Sequence, residues 1–190
     1  MLFIIHLLSF WGSYLYSRLF DQYTPTLSPL QSLPLVLYNQ ISTGLIIIYL
    51  QTYISNPYFT FYWIPLCFIK YFLGILILNL QFGILHYICH KYKFIYKNIH
   101  YLHHRQIISN GFGALFTHPL EHLIVNLLPI ITSIFILNMD IILTAIFVGN
   151  LSWMTVQSHT VYRNKKSKSR HSIHHKYNYY NFDNYPSLLD

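Results

Sequence analysis

Histidine is the residue whose spacing carries chemistry in this chain. Eight of the 12 histidines fall in three short boxes: His86 and His90 in HYICH, His100, His103 and His104 in HYLHH, and His171, His174 and His175 in HSIHH. His118 and His122 lie in THPLEH, His159 stands alone in QSHT, and His6 sits near the N-terminus. On a helix, positions i, i+3 and i+4 share one face with Cβ atoms about 5–6 Å apart. Each HxxHH box therefore aims three imidazoles at one small volume, and HxxxH adds two more. Neutral imidazole is a good ligand for iron, zinc, copper and nickel. A single ion takes about four to six ligands, so this many converging imidazoles suit two ions. Glu121 is the only glutamate, which argues against a carboxylate-bridged pair of the ferritin type. The pattern is that of a His-rich dinuclear site. Without a metal these histidines would compete for protons and repel one another when charged. His159 joins the candidate ligands. His118 is read as a ligand or as a donor orienting one, His122 as a helix-surface neighbour of Glu121, and His6 as a structural histidine.

The elements that must carry these boxes are apolar. Hydrophobic residues make up 54% of the 190 and charged residues 9%, against about 25% charged in an average soluble domain. That composition argues against a soluble globular enzyme, and 18 Tyr, 14 Phe and 3 Trp exclude disorder. A mean hydropathy of +0.37 fits an integral membrane protein. The expected fold is an all-α membrane bundle with a His-rich helical cap on the cytosolic side. Residues 2–20 read as a retained first membrane helix, because no charge precedes the apolar run and Arg18 follows it. Residues 21–32, with Asp21, Pro25 and Pro29, read as a loop. Helices are expected over 33–54 and 64–85, the second with Lys70 snorkelling near its start. Between them Tyr58, Phe59, Tyr62 and Trp63 suit a membrane interface. Residues 86–122 are polar, basic and His-rich. The apolar stretches 123–137 and 141–156 flank Asn138-Met139-Asp140, and each is short for a crossing of about 20 residues. They read as a hairpin that dips into the bilayer and returns. Residues 157–190 are again polar and basic.

Ten of the 12 Lys and Arg fall in two windows. These are Lys91, Lys93, Lys97 and Arg105, then Arg163, Lys165, Lys166, Lys168, Arg170 and Lys176. Both windows coincide with His-rich segments, which places the boxes on the cytosolic face. Topology accounts for the basic charge, and nucleic acid is excluded as a partner because no soluble domain is present to bind it. Cys67 and Cys89 read as two reduced thiols.

HxxxH, HxxHH ten residues later, HPLE, an apolar hairpin, an isolated His and a final HxxHH follow in one order over residues 64–190. That order resembles the fatty acid hydroxylase superfamily, which includes sterol desaturases, sterol methyl oxidases and sphingoid-base hydroxylases. The segment HSIHHKYNYYNFDNYPSLLD also resembles the end of sterol C-5 desaturases. The chain departs from the pattern at Tyr87, where members carry a basic residue, and at Asp190, beyond which members commonly continue. It reads as a minimal or truncated member. The resemblance divides the chain into N-terminal membrane helices, 1–63, and a hydroxylase-like domain, 64–190. It implies that His86, His90, His100, His103, His104, His171, His174 and His175 are the catalytic iron ligands, with His159 and His118 completing the set. Glu121 would orient an imidazole. The implied activity is hydroxylation or desaturation of a sterol, sphingoid base or fatty acyl chain by two iron ions and O2, in the endoplasmic reticulum membrane. Zinc, which suits the same ligands, can replace iron on purification. No GxGxxG is present, so electrons must come from outside. The resemblance implies NADH through cytochrome b5 or a similar carrier, which the basic windows could dock. The alternatives are an inactive or non-enzymatic membrane metal-binding protein, and a haem protein with His axial ligands. Metal transport is disfavoured because the boxes lie at the ends of spans and not within them.

Overall fold

In the computed structural model the chain is described over residues 1–20, 26–54, 64–107, 111–160 and 170–177, and the regular structure there is helical throughout. Helices α1 (Leu2–Phe20), α2 (Pro29–Gln51) and α3 (Ile64–Lys91) are followed by α4 (93–104) and a short 3₁₀ turn, Gly111–Leu115. Then come α5 (Pro119–Ile136), α6 (Ile141–His159) and α7 (Arg170–Tyr177). Helices α2, α3, α5 and α6 are long and apolar enough to cross a membrane. Their outward faces carry exposed large apolar side chains, among them Leu45, Ile48, Phe72, Leu76, Ile136 and Ile146. A water-facing surface rarely tolerates so many. The expected helical bundle with a His-rich cap is the architecture observed, the cap being α4, α7 and the adjoining ends of α3, α5 and α6.

Two helices start earlier than the apolar runs suggest, and capping is the reason. Ser28 caps α2 in a reciprocal box with Gln31, and Pro29 takes the first helical position, where its missing N–H costs nothing. Residues 29–32 are therefore helix and not loop. At α5 the His118 Nδ1 accepts the Leu120 N–H at 3.2 Å, and Pro119 again follows the cap. The legs of the hairpin become 18 and 19 residues long. They are long enough to cross, which corrects the reading of a shallow hairpin built from two short legs. Asn138 closes α5 with φ 44°. The Met139 N–H reaches Ile134 O at 3.0 Å and the Asn138 N–H reaches Phe135 O at 3.1 Å, a left-handed helix ending that Asn tolerates. Asp140 then caps α6, accepting from the Ile142 and Leu143 N–H groups, each at 2.9 Å. Lys70 Nζ donates to Asn138 O at 2.8 Å, tying the start of α3 to this turn. The turn thus lies about 24 Å along α3 from His86, at 1.5 Å per residue. The interfacial aromatics Tyr58, Phe59, Tyr62 and Trp63, the basic residues Arg163, Lys165, Lys166 and Lys168, and the tail beyond Tyr177 lie outside the described residues.

α1 lies along α6. Ser13 Oγ donates to Trp153 O at 3.1 Å and accepts from Gln157 Nε2 at 2.7 Å. Within the segment expected to be polar, Phe112, Ala114, Leu115 and Phe116 are buried against Phe10, Val36 and Val156. The 3₁₀ turn can enter because it is slim: a Cβ on Gly111 would collide with Val156, and one on Gly113 with Gln106. The buried carbonyls at its end are satisfied from α2, where Asn39 Nδ2 donates to Leu115 O and to Thr117 O just beyond the turn, both at 2.9 Å. Asn39→Leu should destabilise the detergent-solubilised protein by about 2–3 kcal/mol through two stranded carbonyls. Thermal unfolding measures this, and an unchanged midpoint would show that these bonds do not hold the turn.

Candidate metal centre

Four helical elements deliver histidines to one end of the bundle. The last turns of α3 bring His86 and His90, α4 brings His100, His103 and His104, α6 ends at His159, and α7 supplies His171, His174 and His175. The imidazoles form two groups, each with its ligand atoms within 4.8 Å of one another. The first holds His86, His90, His100, His104 and His174; the second holds His103, His159, His171 and His175. Each HxxHH box is split between them. The i and i+4 histidines of a box share one group, and the i+3 histidine joins the other. This refines the expectation that a box serves a single volume, since i+3 and i+4 diverge enough on a helix to point at adjacent centres.

The nitrogens are too crowded to be explained by hydrogen bonds. His90 Nε2 lies 2.8 Å from His100 Nε2, 3.1 Å from His104 Nε2 and 3.0 Å from His174 Nε2. His100 Nε2 also lies 2.9 Å from His104 Nε2 and 3.2 Å from His86 Nε2. A neutral imidazole nitrogen carries one hydrogen or one lone pair and cannot serve three such neighbours. In the second group His103 and His159 meet at 3.4 Å, and His171 and His175 at 3.2 Å. Nitrogens about 2.0–2.1 Å from a common ion stand about 2.8–3.4 Å from their neighbours, for angles between right and tetrahedral. The donor sets therefore fit two metal ions.

The far nitrogens of several rings are held so that Nε2 keeps its lone pair. His100 Nδ1 donates to Glu121 Oε1 at 2.7 Å, His103 Nδ1 to Phe116 O at 3.3 Å, and His159 Nδ1 to Thr155 O at 2.8 Å. Such partners fix the tautomer and orientation of ligating histidines. Glu121, the partner of His100, is itself 5% exposed. The two backbone acceptors carry no sequence signal, because any residue at those positions offers a carbonyl. Of the ten histidines read as candidate ligands, His118 alone is not brought into either group; its ring caps α5. His122 is not a helix-surface neighbour of Glu121. It is 3% exposed, and its Nε2 meets Thr43 Oγ1 at 2.7 Å. Cys67 and Cys89 are free thiols.

A cavity of about 390 Å³ extends from the histidines into the bundle. His86, His103 and His159 line it together with Leu50, Leu78 and Ile134. A pocket of this size and lining can take the chain of a lipid.

A family model for fatty acid hydroxylases matches residues 71–190. The chain belongs to the fatty acid hydroxylase family. It is 31% identical over 111 residues to sphinganine C4-monooxygenase 1 of Arabidopsis thaliana, covering 50% of this chain and 42% of that protein. It is 35% identical over 57 residues to the very-long-chain aldehyde decarbonylase GL1-9 of Oryza sativa subsp. indica, covering 30% of this chain and 22% of that protein. The chain thus spans less than half the length of these curated relatives. No solved structure matches. Every histidine of the two groups lies within the segment matched to the hydroxylase family.

Burial keeps several of the clustered histidines neutral. It pushes His100 and His103 from the usual 6.5 down to about 3. Burial first, then repulsion from neighbouring imidazoles, lowers His104, His171 and His175 as well. Neutral imidazole is the form that binds metal. Between about pH 6.5 and pH 3 the unfolded chain binds protons that the folded chain refuses, so stability falls as pH falls through that window and is flat above it. The unfolding midpoint and bound metal should both hold between pH 7 and 8 and decline steadily from pH 6.5 to 5. Constancy down to pH 5 would contradict this protonation assignment.

Proposed function

We propose that this chain is a membrane lipid oxygenase that holds two iron ions. His86, His90, His100, His104 and His174 would hold one, and His103, His159, His171 and His175 the other. When bound there, the irons would supply the activation of O2 that attack on an unactivated C–H bond requires, since no side chain can remove such a hydrogen as a proton. The residues of the chain provide everything around that chemistry. Glu121, Phe116 O and Thr155 O hold three rings in the ligating tautomer. The apolar lining of the cavity excludes water and aligns a hydrocarbon chain beside the histidines. α1 and α2, the proposed N-terminal unit 1–63, supply part of that lining through Leu2, Phe10, Ile46 and Leu50. The single observation that carries this reading is the opening of an apolar cavity onto the two histidine groups.

The substrate is proposed to be a long-chain lipid. A sphingoid base ranks first, because one relative is a sphinganine C4-monooxygenase; sterols and fatty acyl chains follow. Electrons would come from NADH through cytochrome b5 or a similar acidic carrier. Lys91, Lys93, Lys97 and Arg105 form an exposed basic surface beside the centre, suited to docking it. The same basic residues favour a cytosolic cap, and the proposed location is the endoplasmic reticulum membrane. Membranes containing the protein, given NADH, O2 and sphinganine, a sterol or an acyl lipid, should yield a product gaining one oxygen or losing two hydrogens by mass spectrometry. His103→Ala and His174→Ala should each remove that product. Turnover persisting in either variant would refute the assignment and favour a non-catalytic metal-binding role.

A further inference from the structure

Two histidines that belong to neither metal group also line the cavity. His6 comes from α1 and His122 from α5. Both are buried, at 7% and 3% exposure. Their hydrogen positions follow from their neighbours. Ser152 Oγ gives its hydrogen to Val148 O at 2.7 Å, so at 2.8 Å from His6 Nδ1 it can only accept. His6 is therefore protonated at Nδ1, and its Nε2 is a bare lone pair. Thr43 Oγ1 likewise gives its hydrogen to Asn39 O at 2.8 Å, so it accepts from His122 Nε2 at 2.7 Å. His122 Nδ1 is the remaining acceptor of that ring, and Asn126 Nδ2 approaches it at 3.4 Å. His6 Nε2 has no partner among the described residues. A buried acceptor left without a donor is costly, and a ligand able to supply one is rewarded.

We infer that His6 Nε2 is the recognition point for a hydroxyl group on the lipid that fills the cavity. Both imidazoles have their hydrogens tied to the protein, so at His6 the cavity presents an acceptor and asks for a donor. An ammonium would also donate, but a charge brought to His6, whose ring packs beside Phe3 and Phe10, is expensive to desolvate. A hydroxyl supplies the hydrogen without that cost. Specificity of this kind is strong, because a lipid lacking the donor leaves the imidazole unpaired. The inference rests on the cavity being the lipid site proposed above.

The test is equilibrium displacement of radiolabelled 1-octadecanol from detergent-purified, metal-loaded protein by unlabelled 1-octadecanol or by methyl octadecyl ether. The ether keeps the oxygen and chain but has no hydrogen to donate. Wild type should prefer the alcohol by about tenfold, the scale of one buried hydrogen bond gained against one lost. His6→Phe should bind the two equally while keeping its metal, and His6→Gln, which retains an acceptor, should keep a preference. Equal binding of both lipids by wild type, as expected of a site that holds only water, would overturn the proposal. So would an undiminished preference in His6→Phe. Binding is read without turnover: a preserved preference in a protein that oxidises nothing would sink the oxygenase reading alone, and oxidation without preference would sink this one alone.

Discussion

The structure depends on a limit of valence. An imidazole nitrogen offers one hydrogen or one lone pair, and nine histidines are turned toward two points where their nitrogens crowd to 2.8–3.4 Å. They cannot satisfy each other by hydrogen bonding. Protonation would bring like charges together in a buried place, which burial opposes. Two cations resolve the conflict, because lone pairs that repel in pairs can all point at one positive ion. The buried end of the bundle thus offers two donor sets that could each hold an ion.

The rest of the fold holds those rings still. The end of α3 presents HxxxH, and α4 and α7 present the two HxxHH boxes from different sides. The i+3 histidine of each box crosses into the other group, so neither centre can form without both boxes. The 3₁₀ turn at Gly111–Leu115 is buried by apolar contacts and pinned by Asn39. It leads directly to Phe116, whose carbonyl orients His103. Packing in the membrane half and orientation at the centre are therefore one problem. The same turn lies against α1 and α2, which explains how the N-terminal helices come to wall the cavity next to the histidines.

Much of this was legible in the residues. The length and low charge of the apolar runs pointed to the helical membrane bundle, and the order and spacing of the boxes pointed to the family and to the histidines that come together. The family resemblance implied that Glu121 of HPLE orients an imidazole, and its carboxyl group stands beside His100 Nδ1. What escaped was set by single polar contacts. His118 looked like a ligand by type, but Pro119 beside it makes it the cap of α5. His122 looked exposed beside an acid, but π-helical turns over His122–Leu127 rotate that stretch, and Thr43 receives its ring. GFGALF sits between polar boxes and showed no period to mark it as core; two glycines and a distant asparagine bury it. The division of the histidines into two groups was equally invisible, since it depends on how α4 and α7 face each other.

The central claim is that there are two separate ion sites, each fed by both HxxHH boxes. It is tested most directly by metal content per chain, measured by mass spectrometry on detergent-purified protein. Wild type should carry about two ions, following from the two donor sets. His104→Ala and His175→Ala, one from each group, should each retain about one, and the double variant almost none. One ion or none in folded wild-type protein, or two ions undiminished in either single variant, would contradict the account.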